Sequence, residues 1–536
     1  MEIVIYEEYV EKQGWRWGCG SNPDFGGFNW FGYYLQIPAY GFSANNFRED
    51  HQRKFRNLKD LRGKTLSGEV VAYLSLIFIL MLSFCASVLE SSSLQVAKNY
   101  RRADMNRAIE CVFAEYQKEL LDHYDIFALD GSYETGNYEE SNIFDRLNFY
   151  GVTDTDQELL RIQFLTDSGC DSFYDQVTKY MENKYGVDYV RDLLGTTSVW
   201  NQQQDQSRDY EQQESDQEDY LENLLEDQEE GLPEENNPIS HVSGLKQMDL
   251  LALVVPSDQG ISDKGVSQAD LLADRARREG YGDFSDVASG SSAMSGLLFG
   301  EYLLEHFPAY TDGATSENGA EASGENRKVL ESGSAPLDYQ LEYILAGKST
   351  DRENLKTVVH KLMLIRFVPN FTYIMTDSQM RAEAEAAATA LCTLLVVPEI
   401  IAAVTQVILF AWAYGETVMD LRALLSGKHV AVVKSRETWQ LSLESLMKLG
   451  TQEDPGEGMD AETGMDYKDY LRMLLFLEQK ETKSLRALSA IEQNMRYAYG
   501  QSYFQADACI SRMEVESTSK LRRGIRYTYK IYYGYN

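Results

Sequence analysis

Side chains that could do chemistry are plentiful in this chain, but few of them have the spacing that a reaction needs. Asp130-Gly131-Ser132 begins like an Asp-x-Ser-x-Ser motif, in which one carboxylate and two hydroxyls hold a metal ion. Glu134 stands where the second serine should be, so we discount this site. With 84 acidic residues in the chain, a neighbouring pair of carboxylates does not identify a general acid and base.

The residues that most often bind metals or act as nucleophiles are also scattered. The six cysteines are Cys19, Cys85, Cys111, Cys170, Cys392 and Cys509, and the six histidines are His51, His123, His241, His306, His360 and His429. Neither set forms a CxxC, HxxxH or HExxH pair, so a zinc site has no support. Walker A, GxGxxG and GxSxG motifs are absent as well. We predict no catalytic, cofactor-binding or metal residue, and a protein that is not an enzyme.

Charge and length limit the classes of partner and the number of folded parts. The net charge of -34 disfavours nucleic acid, because phosphate contacts need clustered lysine and arginine. It also disfavours docking on anionic lipid, and it is typical of a well-solvated acidic surface. At 536 residues the chain is long enough for two or three folded parts.

One apolar run stands out from this soluble composition. Val70 to Leu89 carries no charge and lies between Glu69 and Glu90. Twenty helical residues cover about 30 Å, the thickness of a bilayer's hydrocarbon core. We therefore predict a transmembrane helix at 64–90. A buried core helix and a secretory signal peptide are the alternatives. The length and the poor cleavage site at Ser87-Val88-Leu89 count against the second one.

Flanking cations predict the orientation of this helix. Six lysines and arginines lie between Arg53 and Lys64, whereas four lie between Lys98 and Arg107. This bias favours an N-terminus in the cytoplasm and a single-pass protein of the cell membrane, with its C-terminal domain extracellular. Because no proline or glycine follows Leu89 for many residues, we expect the helix to continue into the ectodomain, where Met105, Ile109 and Val112 form an apolar stripe.

The rest of the chain predicts an α+β fold, a helix-rich ectodomain with a small antiparallel sheet. Strands are predicted at 124–130, at 160–166 and in two C-terminal segments, of which the last, rich in tyrosine, is expected to pair with the first two strands. The apolar segment 386–414 is broken at Pro398, so we predict a buried helical hairpin, with a second membrane crossing as the alternative. Thr350 or Ser349 is expected to cap a helix, with Glu353 three residues on.

Composition divides the chain further. Segment 201–238 is rich in Gln, Glu and Asp and contains almost no cations, which favours disorder. The predicted parts are an N-terminal extension (1–63), the transmembrane helix (64–90), a first ectodomain part (91–200), an acidic disordered linker (201–238), a second ectodomain part (239–310), a flexible loop (311–336), and a helical hairpin region with C-terminal strands (337–536). The extension, rich in glycine and aromatics, is expected to be poorly ordered, cytoplasmic and partly an overlong start. A small module or an interfacial segment are the alternatives.

Several stretches together resemble a known family. "GEVVAYLSLIF", "LLDHYDIFALDG", "LDYQLEYILAGKSTDRENL", "FAWAYGETVMDLRALLSGKHVAVVKS" and "MDYKDYLRMLLF" are similar to an uncharacterised membrane-protein family of Gram-positive bacteria, domain of unknown function 5702. Its members are associated with loci for Tad-type pili, and their first segment resembles TadE-like pseudopilins. The resemblance implies a non-catalytic component or accessory of a Tad-like type IV pilus or secretion system. Its partners would be the membrane and other pilus proteins. An exported enzyme acting on the cell wall is the alternative.

Overall fold

The computed structural model describes residues 68–226, 232–257, 259–284, 292–314, 335–392 and 398–535. The predicted extension at 1–63 lies outside these residues, and so does 315–334 of the predicted loop at 311–336. The chain divides into two units, Met1–Val88 and Leu89–Asn536.

Fifteen α-helices and four strands lie in the described residues. The helices are α1 (Gly68–Phe113), α2 (Lys118–Tyr124), α3 (Glu140–Phe149), α4 (Asp171–Glu226), α5 (Pro238–Gln247), α6 (Leu250–Val254), α7 (Ala293–His306), α8 (Tyr310–Ala314), α9 (Gln340–Ala346), α10 (Asp351–Thr376), α11 (Ser378–Leu391), α12 (Pro398–Leu425), α13 (Leu443–Leu446), α14 (Tyr467–Leu477) and α15 (Lys480–Tyr497). The strands are β1 (Leu129–Asp130), β2 (Thr155–Phe164), β3 (Cys509–Lys520) and β4 (Arg526–Gly534). The predicted helix-rich α+β fold is confirmed.

Helix α1 has two kinds of surface along its length. From Val70 to Leu89 its large apolar side chains are exposed, from 42% at Val70 to 71% at Leu89. This stretch is long and apolar enough to cross a membrane, and none of it is buried by the protein. Ser75, Ser83 and Ser87 return their hydroxyls to helix carbonyls at 2.8–2.9 Å, so they present no unpaired donor. The predicted continuous helix is confirmed.

Further along, α1 belongs to the core of the second unit. Met105, Ala108, Ile109, Val112 and Phe113 are 0–1% exposed. They pack with side chains of α3 and of all three longer strands. The stripe recurs at three- and four-residue spacing because those positions share one face of a helix.

Strand β3 is the centre of the antiparallel sheet. It pairs with β2 from Thr155↔Ser519 to Phe164↔Ile510, and with β4 from Arg512↔Gly534 to Lys520↔Arg526. The two residues of β1 pair with Cys509 and Ile510. Two irregularities in β2, after Leu159 and after Gln163, bend the ladder.

The predicted pairing of the final strand is wrong. Strand β3, not the tyrosine-rich β4, receives both β1 and β2. The reason is burial: β3 is buried at nearly every position, whereas β4 alternates between exposed and half-buried side chains. Since β4 follows β3 through a five-residue turn, it can occupy only the edge that β2 leaves free.

The predicted disordered linker at 201–238 is also wrong where the structure describes it. Helix α4 runs through this segment to Glu226, after a kink at Gly186 (φ 74°). Sparse apolar side chains hold it: Trp200 lies 5.7 Å from Phe476 and Tyr210 lies 5.3 Å from Phe371, between ring centroids. Glutamine and glutamate are good helix formers, and a few anchors on one face are enough to dock such a helix. Residues 227–231 lie outside the description.

The α12 half of the second apolar segment lies inside the helical core, whereas Ala386, Thr389 and Ala390 of α11 are exposed. Helices α11 and α12 pack on each other, and 72% of the apolar window in α12 is buried by the protein. Phe371 and Phe410 stack at 4.2 Å between ring centroids. At the start of α10, Thr350 accepts a hydrogen bond from the Glu353 amide at 3.3 Å, which confirms the predicted cap.

A matched pair of substitutions tests the docking of α4. Leu221 is 5% exposed and packs in the main core, whereas its neighbour Glu222 is exposed. We expect Leu221→Ala to lower the free energy of unfolding by about 2–4 kcal/mol through loss of apolar burial. Glu222→Ala should change it by less than about 0.5 kcal/mol. Urea denaturation followed by circular dichroism measures both, and equal, negligible effects would restore the linker interpretation.

Candidate functional site: a buried ionic centre

A fully buried cluster of charged side chains lies where α10, α12 and the loop after α12 meet. Arg366 and Asn370 lie four residues apart on α10, and Glu416 and Asp420 lie four residues apart on α12. Each pair therefore occupies one face of its helix, turned toward the other. Lys434 enters from the following loop. The charged side chains of these residues are 0–1% exposed to solvent.

Asp420 joins the two cations. Its Oδ2 accepts hydrogen bonds from Arg366 Nη2 at 2.7 Å and from Asn370 Nδ2 at 2.9 Å. Its Oδ1 accepts from Lys434 Nζ at 2.7 Å. Arg366 also donates to the Tyr470 hydroxyl of α14 at 3.0 Å, so the centre ties a third helix to the other two.

Glu416 closes the centre on the loop side. It accepts from Lys434 Nζ at 2.5 Å and from the backbone amides of Gln440 at 3.0 Å and Leu441 at 2.9 Å. Two carboxylates thus face two cations, and the four charges sum to zero. All four carboxylate oxygens accept at least one hydrogen bond, which satisfies groups that would otherwise be costly to bury.

Burial and charge act oppositely on the two acids. Burial acts to raise the pKa of Asp420, but Arg366 and Lys434 outweigh it and hold that pKa below its ordinary value. Burial raises the pKa of Glu416, which has Lys434 as its cation and Asp420 as a repelling neighbour. Of the two carboxyls, Asp420 is therefore the one that stays ionised to lower pH.

A small cavity of about 70 Å³ adjoins the centre. Its lining includes Asp420, Lys434, Thr438 and Gln440, with Met459 toward the surface. Apolar side chains such as Val430 and Ala431 line it too, and so small a space suits one or two water molecules more than an organic substrate. Because hydrogen-bond donors already occupy each carboxylate, we interpret the role of the centre as structural. It fixes how the helices pack on each other, and we call this role a lock between helices.

Glu342 is a second buried carboxyl in the helical core. Its Oε1 accepts from the Tyr310 amide at 2.9 Å and from the Tyr467 hydroxyl at 2.8 Å, while Oε2 has no hydrogen-bond partner. Burial raises its pKa to about 7. Burial favours the neutral acid here, because leaving a negative charge without full solvation costs more than leaving a neutral carboxyl so.

A second pocket lies beside β2. It has a volume of about 460 Å³ and a mixed lining that includes Asp167, Ser168, Arg277 and Glu279. Asp167 is engaged in holding backbone: it accepts from the amides of Phe164 at 2.7 Å and of Gly280 at 3.1 Å. Gly280 has no room for a side chain, since a Cβ would lie 2.1 Å from the Ile162 carbonyl oxygen. The pocket is thus bounded by a loop seated on the edge of β2.

The discounted Asp130-Ser132 motif is a turn in the structure. Asp130 accepts from the amide and hydroxyl of Ser132 at 2.9 and 2.7 Å and from the Glu134 amide at 2.9 Å. These bonds turn the chain as it leaves β1. Within the described ranges no group of three or more His, Cys, Asp or Glu side chains is placed to hold a metal ion, and the five cysteines there are free thiols.

Sequence reasoning missed the ionic centre as a unit, although part of its signal was visible. Arg366 interrupts "LMLIRFVPNF", and Glu416 and Asp420 lie in a largely apolar segment. A charge inside an apolar helix needs a partner, so these residues were candidates for pairing. Which cation meets which anion depends on how α10 and α12 pack.

Removing one partner tests whether the centre requires all of its charges to be paired. Lys434→Met leaves Glu416 without its cation and Asp420 with one, so we expect a loss of about 3–5 kcal/mol in the free energy of unfolding. Lys448→Met, at an exposed pair with Glu444, is the matched control and should cost less than about 1 kcal/mol. Chemical denaturation measures both, and a Lys434→Met protein as stable as the control would contradict the lock.

Comparison with known protein families matches residues 228–521 to a family of unknown function, DUF5702. The match covers more than half of the chain, and the chain belongs to this family. The predicted family is thereby confirmed. No curated protein and no solved structure matches the chain.

Proposed function

We propose that this member of the DUF5702 family is a membrane-anchored extracytoplasmic protein that works through protein contacts, as a non-catalytic component or accessory of a Tad-like pilus or secretion system. The observation that carries the proposal is the exposed first half of α1. Fourteen large apolar side chains between Val70 and Leu89 stand open, far more than a soluble surface tolerates. They need lipid, or the same helix of other subunits, around them.

The orientation in this proposal rests on charge. Six cations between Arg53 and Lys64 precede the apolar run and four follow it, which favours an N-terminus in the cytoplasm. The folded part from Leu89 onward would then lie outside the cell. An acidic, well-solvated surface suits such a location, because it resists nonspecific adhesion to anionic lipid and nucleic acid.

Two features support a role in assembly over one in catalysis. Carboxylates such as Asp420 and Asp167 are engaged in holding helices and loops. An apolar helix that continues into a folded domain suits a subunit that can pack beside others through that helix. The similarity of this first segment to TadE-like pseudopilins points to a pilus as the assembly.

Thiol accessibility tests the orientation. In a full-length chain with Cys19 and Cys111 replaced by serine, we expect Thr451→Cys, at an exposed position, to react with a membrane-impermeant maleimide in intact cells. Lys59→Cys should react only after the membrane is permeabilised. The reverse pattern would overturn the proposed orientation, and reaction of both in intact cells would overturn the membrane anchor.

Co-purification tests the role. Full-length protein taken from detergent-solubilised membranes of its native host should carry pilus or secretion-system subunits with it, and deletion of the gene should reduce surface pili. A matched chain whose apolar stretch carries Leu76→Lys and Leu80→Lys should lose both membrane anchoring and these partners. Normal pili together with altered cell-wall chemistry in the deletion strain would favour the exported enzyme instead.

A further inference from the structure

The C-terminal hairpin lies along the segment of α1 that follows the apolar run. Arg523 Nη1 pairs with Glu90 Oε1 at 2.6 Å, and Lys98 Nζ lies 5.3 Å from the ring centroid of Tyr527. The Tyr529 hydroxyl donates to the Arg101 carbonyl at 2.7 Å. These contacts place the hairpin turn beside the first charged residue after Leu89.

Contacts at the far end fix the direction of the hairpin. The ring of Phe113 lies 4.7 Å from that of Tyr533, between centroids, and 5.0 Å from that of Tyr535. The contacts follow the same order along α1 as along the hairpin, from Glu90 with Arg523 to Phe113 with Tyr533. Strand β4 therefore runs beside this part of α1 in the same direction, and the turn lies at the end nearest the apolar run.

This turn reverses the charge of the protein locally. Residues 517–535 contain five cations and no acid, in a chain of net charge -34. The cations are Lys520, Arg522, Arg523, Arg526 and Lys530. All five are exposed.

Acidic neighbours neutralise only part of this charge. Glu90 pairs with Arg523, and Asp156 lies 3.8 Å from Lys520. Within the described chain, Arg522 and Arg526 enter no ion pair. Ile525, between them in the turn, is 38% exposed. Two unpaired guanidinium groups flanking an exposed aliphatic side chain fit a lipid surface, where phosphates meet the edge of the hydrocarbon.

We propose that the turn Leu521–Ile525 rests on the membrane that α1 crosses, with Arg522 and Arg526 on the phosphates of anionic phospholipids and Ile525 at the hydrocarbon edge. The inference rests on the proposed membrane anchor. Glu90 follows the last apolar residue directly, so a turn held at Glu90 lies at the level of the headgroups. The turn is a second membrane contact, in addition to α1, and it orients the folded domain on the bilayer.

Fluorescence quenching by labelled lipids tests this contact in the full-length protein. With Cys19, Cys85 and Cys111 replaced by serine, a fluorophore at Ile525→Cys is measured in vesicles of phosphatidylglycerol and of phosphatidylcholine that contain headgroup-labelled quencher. We expect strong quenching in the anionic vesicles and at least threefold less in the neutral ones. The change Arg522→Gln with Arg526→Gln should reduce the anionic signal at least threefold, and the same label at Thr451→Cys should show none.

Two controls keep the outcomes distinct. Arg381→Gln with Arg436→Gln removes two exposed cations elsewhere and should leave the quenching unchanged. A label at Ile77→Cys with acyl-chain quencher reports the membrane anchor itself. Quenching at Ile77 without quenching at Ile525 overturns only the proposed contact of the turn with the membrane. Quenching at Ile525 that is equal in both lipids overturns it as well. No quenching at Ile77 overturns the proposed membrane anchor together with it.

Discussion

The packing of the last turns of α1 against the sheet is the interaction on which the rest depends. Met105, Ile109, Val112 and Phe113 are buried by β2, β3, β4 and α3, and each contributes about 1.5–3 kcal/mol of apolar burial. The same helix, some twenty residues earlier, leaves its apolar side chains open. A single continuous helix thus joins a stretch that needs a nonpolar surrounding to a core that the protein supplies itself.

The two cores of the folded unit are stabilised differently. The smaller one, around the sheet, is apolar and lies on α1. The larger one is helical and contains charges, with Arg366, Asp420, Lys434 and Glu416 at its centre. A buried ion pair contributes little net stability, but it admits few alternative packings, because any shift leaves a charge unpaired. We interpret the centre as what selects one arrangement of α10, α12 and the 430–441 loop among many apolar ones.

Local patterns in the sequence predicted the continuity of α1, the cap at Thr350 and the helix-rich class, because each depends on neighbouring residues. The strands predicted at 124–130 and 160–166 overlap the observed β1 and β2, although their bounds differ. Pairing between distant segments was not predictable in the same way. Strand β3 is central because it is the strand buried on both sides. The alternation of apolar and polar residues in its sequence does not reveal this. Helix α4 was missed because its composition is mostly polar. It is held by a few aromatic side chains such as Trp200 and Tyr210, whose packing partners lie far away in the sequence. The absence of a catalytic motif remained a prediction, and the ionic centre was visible only as isolated charges in apolar helices.

Native-state hydrogen exchange on the full-length protein in lipid nanodiscs tests the central claim, that the end of α1 is an integral part of the folded core. Amides of residues 105–113 should exchange together with those of residues 510–515 in β3, at the same free energy of opening and with the same dependence on denaturant, because one apolar core holds both. Exchange of 105–113 at a much lower free energy, while β3 stays protected, would show that the helix is only laid against the domain and would contradict the account.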